Sequence, residues 1–230
     1  MALPQSLRHL APVRLRDDVR VRALAVGSGL IPPRTMHSRE EAELLARLAA
    51  QARRIVEIGV YEGSSAAVLV AAMPAAAELH LIDPFGHHPS ALPAGWGATQ
   101  WASRRVVARA QRRARSPGGG DGAQPRAGRV TWHVSLSEHV ASDWTDPVDL
   151  VFVDGDHSEE ACELDWVKWS PFVAPAGHLA FHDARADRPD GRGLPGPTAV
   201  VARHFRGAHS EPGWRLVTEV DRTVVVQRAR

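Results

Sequence analysis

The sequence predicts an α/β protein: a doubly wound, mostly parallel seven-stranded sheet with helices on both faces and an antiparallel C-terminal hairpin. Three observations predict it. Short apolar runs alternate with segments of helical period along most of the chain, the first run breaks at a glycine-bearing turn (VEIGVYEGSS), and the last two runs are joined only by Val220-Asp221-Arg222. Alternation implies parallel pairing, because a parallel crossover needs room for a helix. Right-handed crossovers then place helices on both faces. A short link between two strands closes a hairpin instead.

Residues 1–37 read as an N-terminal extension with little regular structure beyond one short helix, and residues 38–230 as a single domain. Ser38 is an N-cap followed by acids in the first turn, and Ala42, Leu44, Leu45, Leu48 and Ala49 keep helical spacing to an end near Arg53. Strands follow at 54–59, 79–83, 130–134, 148–154 and 177–182, each a short apolar run suited to a buried strand. Helices are expected at 64–73, 99–115, 137–142, 158–169 and 197–205, and the closing strands at 214–219 and 223–227. The stretch 116–128 is rich in Gly and Pro and reads as a loop.

Composition narrows the function classes. The 230 residues are 44% hydrophobic and 23% charged, ordinary globular proportions that support a core. One cysteine, Cys162, cannot form an internal disulfide, so a reducing, cytoplasmic setting is expected. The first residues lack the apolar run of a signal peptide, and no stretch reaches the roughly 18 apolar residues of a membrane helix. The net charge is only +2, and Lys168 is the sole lysine. The basic run Arg104, Arg105, Arg109, Arg112, Arg113 and Arg115 has helical spacing and reads chiefly as a solvated face; no aromatic platform accompanies it. The expected partner is a small molecule, with neither nucleic acid nor membrane. The extension is a candidate lid or a dimer arm, which leaves a homo-oligomer open.

In doubly wound sheets ligands sit at the carboxyl ends of the strands, so the polar residues there carry the functional argument. The first strand ends in Glu57-Ile58-Gly59 and reaches a helix through Gly63, Ser64 and Ser65. Glycines at such a turn let a bulky ligand approach the backbone, though a ligand-free tight turn reads the same way. The spacing is not the Gly-x-Gly-x-x-Gly of dinucleotide sites. Asp83 ends the second strand 20 residues beyond Gly63, where an acid can accept hydrogen bonds from ribose hydroxyls or simply form a turn. The run Asp154-Gly155-Asp156-His157 ends a third strand and His182-Asp183 another. Adjacent strand ends lie about 5 Å apart, so these side chains can converge in one cleft. Oxygen ligands favour Mg²⁺, and added imidazole moves the preference toward Mn²⁺. His157 can equally be a helix-start residue or a buried hydrogen bonder. His87 and His88 are alternative bases or loop residues.

VEIGVYEGSS, LIDPFG and VDLVFVDGDHSEEACELDWVKWSPFVAPAGHLAFHD together resemble the class I S-adenosylmethionine (SAM)-dependent methyltransferases with their Rossmann-like fold. More narrowly, they are similar to a small-molecule O-methyltransferase group that includes relatives of the macrolide-sugar and rhamnosyl enzymes. The similarity spans roughly residues 38–228. Two positions depart from that group: Glu159 stands where an aromatic is usual, and Pro175-Ala176-Gly177 where Pro-Gly-Gly is usual.

The resemblance implies SAM as cofactor. Glu57, Gly59, Gly63 and Asp154 would line its site, Ser64 or Ser65 would face the methionine carboxylate, Asp83 would hold the ribose, and Ser135, beside Leu136, would lie by the adenine. In metal-dependent members of the related group, the equivalents of Asp154, His182 and Asp183 bind a divalent ion, here Mg²⁺ or Mn²⁺. The first of that acid pair is a histidine in this chain. The equivalent of His157 acts as general base in some members, so His157, with Asp154, is the expected catalytic pair for O-methylation. Two other classes remain: a non-catalytic SAM-binding module, and an NAD-dependent oxidoreductase, against which the missing Gly-x-Gly-x-x-Gly argues. A metal-dependent hydrolase would leave the Glu57–Gly63 turn unexplained. Trp96 and Trp101 are either an acceptor wall or packing residues. Trp166 and Trp169 are expected to pack on the sheet.

Overall fold

Both faces of the sheet are covered, which is why its strands read as unbroken apolar runs instead of alternating ones. The computed structural model describes residues 18–87, 95–115, 128–187, 193–207 and 210–230. Strands β1 (Arg54–Ile58), β2 (Glu78–Ile82), β3 (Arg129–His133), β4 (Val148–Val153), β5 (Val173–Phe181), β6 (Trp214–Val220) and β7 (Thr223–Arg228) form one sheet in the order β3-β2-β1-β4-β5-β7-β6. Pairing is parallel from β3 to β5, and β7 runs antiparallel between β5 and β6. The expected doubly wound sheet with a closing hairpin is borne out.

Alternate residues of each strand feed two separate cores. In β4, Leu150 and Phe152 join Leu45 of α2 (Arg39–Ala49), Leu69 of α3 (Ser64–Ala72) and Val107 of α4 (Ala98–Arg115). Val151 and Val153 join Ala141 of α5 (Ser137–Ser142), Trp166 and Trp169 of α6 (Glu159–Trp169) and Phe205 of α7 (Pro195–Phe205). Trp166 and Trp169 thus pack on the sheet as expected. Because the side-chain period is two, Asp154 and His182, beyond the ends of β4 and β5, fall on the α2 and α3 side.

Some boundaries differ from expectation. Helix α2 stops at Ala49 and not near Arg53, because the backbone N–H groups of Arg53 and Arg54 donate to Asp149 Oδ2 at 2.8 and 2.9 Å and draw the chain into β1. Strand β5 begins at Val173, ahead of the expected Gly177, and carries the extra residues of a register shift opposite Val148 and Leu150 of β4. Ser38 caps α2 as expected: its hydroxyl accepts from Glu41 N at 3.1 Å, and Glu41 Oε2 accepts from Ser38 N at 2.8 Å.

A further helix, α1 (Val19–Ser28), precedes these elements and is capped by Asp18. The guanidinium of Arg109 reaches from α4 to the carbonyls of Val26 and Gly27, at 2.7 Å each, and closes the C-terminal end of α1. The other five arginines of that run are exposed. Residues 1–17, His88 and the segment 116–127 lie outside the described residues. Among the described residues no helix is long and apolar enough to cross a membrane.

Ala176 occupies the left-handed region at φ 64, which favours glycine. A side chain costs roughly 1–2 kcal/mol there. Ala176→Gly should therefore raise unfolding free energy by about 1 kcal/mol in urea titration, after the added flexibility of the unfolded chain is offset. A loss of stability would show that the Ala176 methyl contributes packing that outweighs the strain.

Candidate active site

The turn after β1 is built for close approach. Gly59 has φ 85, and a Cβ there would lie 2.1 Å from the Asp154 carbonyl oxygen, so β1 and β4 can meet this tightly only at a glycine. Asp83 braces the turn from β2. Its Oδ2 accepts from Val60 N and Tyr61 N, both at 2.9 Å, and its Oδ1 from Phe85 N at 2.7 Å. Burial raises the Asp83 pKa although these three N–H groups oppose the shift. Glu57 is wholly buried on the same side; Ser65 Oγ donates to its Oε1, while Oε2 has no hydrogen-bond partner among the described residues. Burial pushes the Glu57 pKa up to about 8; the Ser65 bond opposes this, and the nearby Asp154 and Asp83 charges add to it.

Gly63, φ 82, is the N-cap of α3 and has no side chain to satisfy the helix's first N–H groups. They open onto a cleft lined by Gly59, Val60, Tyr61, Glu62, Ser64 and Ser65 from the turn, by Asp154, and by Arg34, Met36 and His37. Glu62 holds Arg34 in place. It is 2% exposed, forms a forked pair with Arg22 of α1 at 2.6 and 2.9 Å, and accepts from Arg34 N at 2.6 Å. Within the cleft, His37 Nδ1 lies 3.2 Å from the Ser38 carbonyl, which places the ring proton there and leaves Nε2 to accept from Ser64 Oγ at 3.1 Å.

The second half of the site stands where β4 and β5 end. Val153 pairs with Phe181, so Asp154 and His182 emerge side by side, and His182 Nδ1 donates to Asp154 Oδ1 at 2.9 Å. The other ring nitrogen of His182 lies 3.7 Å from Glu41 Oε1. Asp183 Oδ2 is 3.5 Å from both His182 Nδ1 and His157 Nε2, and Asp183 Oδ1 is 2.8 Å from Arg222 Nη1. His157 Nε2 also lies 3.4 Å from Asp154 Oδ1. One ligand-capable atom from each of Asp154, His157, His182 and Asp183 falls within 4.8 Å of the others.

Gly196 at the start of α7 abuts the other side of His157, since a Cβ there would lie 2.2 Å from the His157 carbonyl oxygen. The charges shape each other. The Asp154 hydrogen bond leads the rise in the His157 pKa, against burial and helped by the Asp154 and Asp183 charges. Burial would lower the His182 pKa, yet the nearby carboxylates of Asp154, Asp183 and Glu41 raise it to about 11. Asp154 is held below the usual range, burial being outweighed by the two imidazoles. Burial would raise the Glu41 pKa, yet the nearby His182 imidazole and the bonds from Ser38 and Thr223 lower it to about 2.

Most of the expected residues converge, with exceptions. Asp156 does not join the cluster: it is exposed, and its Oδ1 accepts from Ser158 N at 2.8 Å at the entry to α6. His87 is exposed on the loop after β2. Ser135 is half-buried after β3, while Ser137, two residues on, is buried and donates to Asp165 Oδ1. Trp96 stacks on Tyr61 with ring centroids 4.9 Å apart, and Trp101 is largely exposed beside Gly27. Sequence reasoning did not find Glu41, Arg222, Arg34 or His37. Glu41 was visible only as a capping acid, and Arg222 only as part of a hairpin link.

A family model described as a methyltransferase domain matches residues 56–184, more than half of the chain. The chain belongs to the methyltransferase domain family. The match runs from β1 through Asp183 and so contains Glu57, Asp83, Asp154, His157 and His182; Glu41 and Arg222 lie outside it. Solved structures share the fold. The O-methyltransferase TomG from Streptomyces achromogenes, involved in tomaymycin synthesis and solved with SAM, superposes with a TM-score of 0.59 at 19% identity over 93% of this chain and 91% of its own. Cofactor-bound Rv0187 from MTB gives 0.59 at 19% over 99% and 97%. An O-methyltransferase from Bacillus cereus, in complex with SAH, gives 0.54 at 16% over 97% and 96%. At these identities the likeness is one of fold.

In this methyltransferase domain, the raised pKa of buried Glu57 should make folding pH-dependent. An acid with a raised folded-state pKa contributes stability that is whole below its unfolded pKa and lost as pH rises through the folded value. For Glu57 that window runs from the ordinary carboxylate range up to about pH 8. Glu57→Gln, which cannot ionise, should raise the Tm of the ligand-free protein more near pH 8 than near pH 5. Equal shifts at both would mean that Glu57 ionises normally.

Proposed function

We propose that this methyltransferase transfers the methyl group of SAM to a hydroxyl of a small-molecule acceptor, with His157 as general base. The observation that carries the reading is the position of Asp154, which lines the cleft at the β1 turn and also accepts from His157 and His182. One carboxylate therefore joins the cofactor cleft to the proton acceptor.

The cleft suits an amino-acid zwitterion. The Asp154 carboxylate and the Gly59 backbone suit an ammonium group, and the uncapped N-terminus of α3, with Ser64 and Arg34 beside it, suits a carboxylate. Ser65 extends this wall and holds Glu57. Gly63 keeps the helix start free of a side chain. Asp83 would meet the ribose from behind the turn it braces, and Ser135 would border the adenine. SAM itself supplies a methyl group already activated by its sulfonium, so the chain has only to align the acceptor and remove its proton.

His157 is disposed for that task. Its Nε2 faces Asp154 and Asp183, which places a proton on that nitrogen and leaves Nδ1 with the lone pair. The two carboxylates also favour the imidazolium formed when Nδ1 accepts the acceptor's proton.

SAM should bind in calorimetry with micromolar affinity and NAD⁺ should not; absence of SAM binding would overturn the reading. With an acceptor found by screening hydroxyl compounds for S-adenosylhomocysteine release, His157→Ala should lower turnover by about 10²–10⁴-fold. SAM affinity should shift less than about threefold, a difference under about 1 kcal/mol. Equal losses of turnover and SAM affinity would remove His157 from the base role.

A further inference from the structure

Asp165 is a buried acid that the methyl-transfer chemistry leaves unused. It lies on α6 and is 4% exposed. Its Oδ1 accepts the hydroxyl proton of Ser137, a buried residue at the start of α5. Its Oδ2 lies 3.9 Å from the point that a Cβ on Gly155 would occupy, so the carboxylate sits against the backbone that follows Asp154. Burial pushes the Asp165 pKa up to about 7; the Ser137 bond opposes this, and the Glu138 and Asp156 charges add to it. Taking a carboxyl out of water costs free energy that an apolar side chain at this helix position would not incur.

The pair stands at the cofactor edge of the sheet. Through Asp165 the segment after β3 and the segment after β4 are joined, although β2 and β1 lie between those strands. The strand ends are level there: Asp83 N donates to the His133 carbonyl at 3.1 Å, and Asp154 N to that of Ile58 at 2.9 Å. A SAM ribose held at Asp83, on the end of β2, would direct its base into the interval that Ser137 and Gly155 border, beside Ser135 and Leu136.

A serine hydroxyl has one proton and two lone pairs. The Ser137 proton is committed to Asp165, so toward any third group this hydroxyl can only accept. Adenine presents an exocyclic amine, which donates. Hypoxanthine has a carbonyl oxygen at the same position, which accepts and would oppose the Ser137 lone pairs. We infer that Asp165 sets the purine selectivity of the cofactor site: by holding the Ser137 proton it leaves that hydroxyl as an acceptor for the adenine amine and against an oxo group. Asp165 is then a positioning residue that acts on the base only through Ser137. The inference rests on SAM as the cofactor and on no particular acceptor.

Calorimetry with S-adenosylhomocysteine and its deaminated analogue S-inosylhomocysteine tests it without turnover, at pH 8.5, where Asp165 is ionised. Wild type should prefer the adenosyl compound by about tenfold or more, the penalty of setting two acceptors face to face in a buried contact. Ser137→Ala removes the acceptor, and Asp165→Leu frees the hydroxyl to rotate and donate. Each should bring the two affinities to within about threefold of one another, whereas Asp165→Asn, which keeps an acceptor for the Ser137 proton, should retain the preference. Should Asp165→Leu not fold, Ser137→Ala alone decides. Equal affinities in wild type would overturn the inference. So would a preference that Ser137→Ala leaves unchanged, or an Asp165→Leu protein that binds both compounds more weakly at a constant ratio, since that is the mark of a merely structural role. In each of those cases S-adenosylhomocysteine still binds wild type, and the methyl-transfer proposal stands; its failure to bind at all would overturn both.

Discussion

The buried imidazole of His182 and the carboxylates around it tie together parts of the chain that are remote in sequence. Glu41 belongs to the first helix of the sheet's α2 side, Asp154 and Asp183 to two central strand ends, and Arg222 to the turn of the closing hairpin. Glu41 also accepts from Arg222 N at 3.0 Å and from the Thr223 hydroxyl at 2.8 Å. Buried carboxylates this close would repel one another and resist ionisation unless cations stood among them. The position of the hairpin, the helix and the strand ends therefore depends on one charge arrangement, and the same arrangement orients His157. Stability and chemistry share these groups.

The opposite wall of the site rests on close backbone approach. Gly59 lets β1 and β4 meet, and Asp83 occupies its lone pairs with three N–H groups of the neighbouring turns. A carboxylate so engaged stiffens the turn before any ligand arrives, which lowers the ordering cost of binding. Glu57 is the unsettled member. Its buried oxygen, without a hydrogen-bond partner among the described residues, is a cost in the ligand-free protein. Glu62, inside the same turn, turns outward to hold Arg22 and the Arg34 backbone. In this way residues ahead of α2 become a wall of the cleft, and helix α1 is held from its other end by Arg109 of α4.

Much of the fold and part of the site were legible in the residue pattern. Unbroken apolar runs such as VDLVFV reflect strands buried on both faces, and a capping serine with Glu three residues on marks a helix start because the geometry is local. Boundaries were less legible where a distant group intervened: Asp149, from another strand, ends the approach to β1. Asp156 looked equivalent to Asp154 in sequence, yet two residues further on the chain has turned to solvent, and its side chain accepts from Ser158 N at the entry to the next helix. Glu41 and Arg222 could not be read as site residues, since their partners His182 and Asp183 lie 141 and 39 positions away and no local pattern encodes such contacts.

The sequence by itself determined the alternation of strands and helices, the glycine turn, and the polar residues at the strand ends, because these follow from side-chain periodicity and backbone preference over a few neighbouring residues. Only the tertiary structure decided which of those polar groups meet and with what charge. Histidine at position 182 reads as a metal ligand when only its neighbours in sequence are considered. Folding surrounds it with Glu41, Asp154 and Asp183, which raise its pKa, because protonation is set by the field of groups that folding alone brings within a few ångströms.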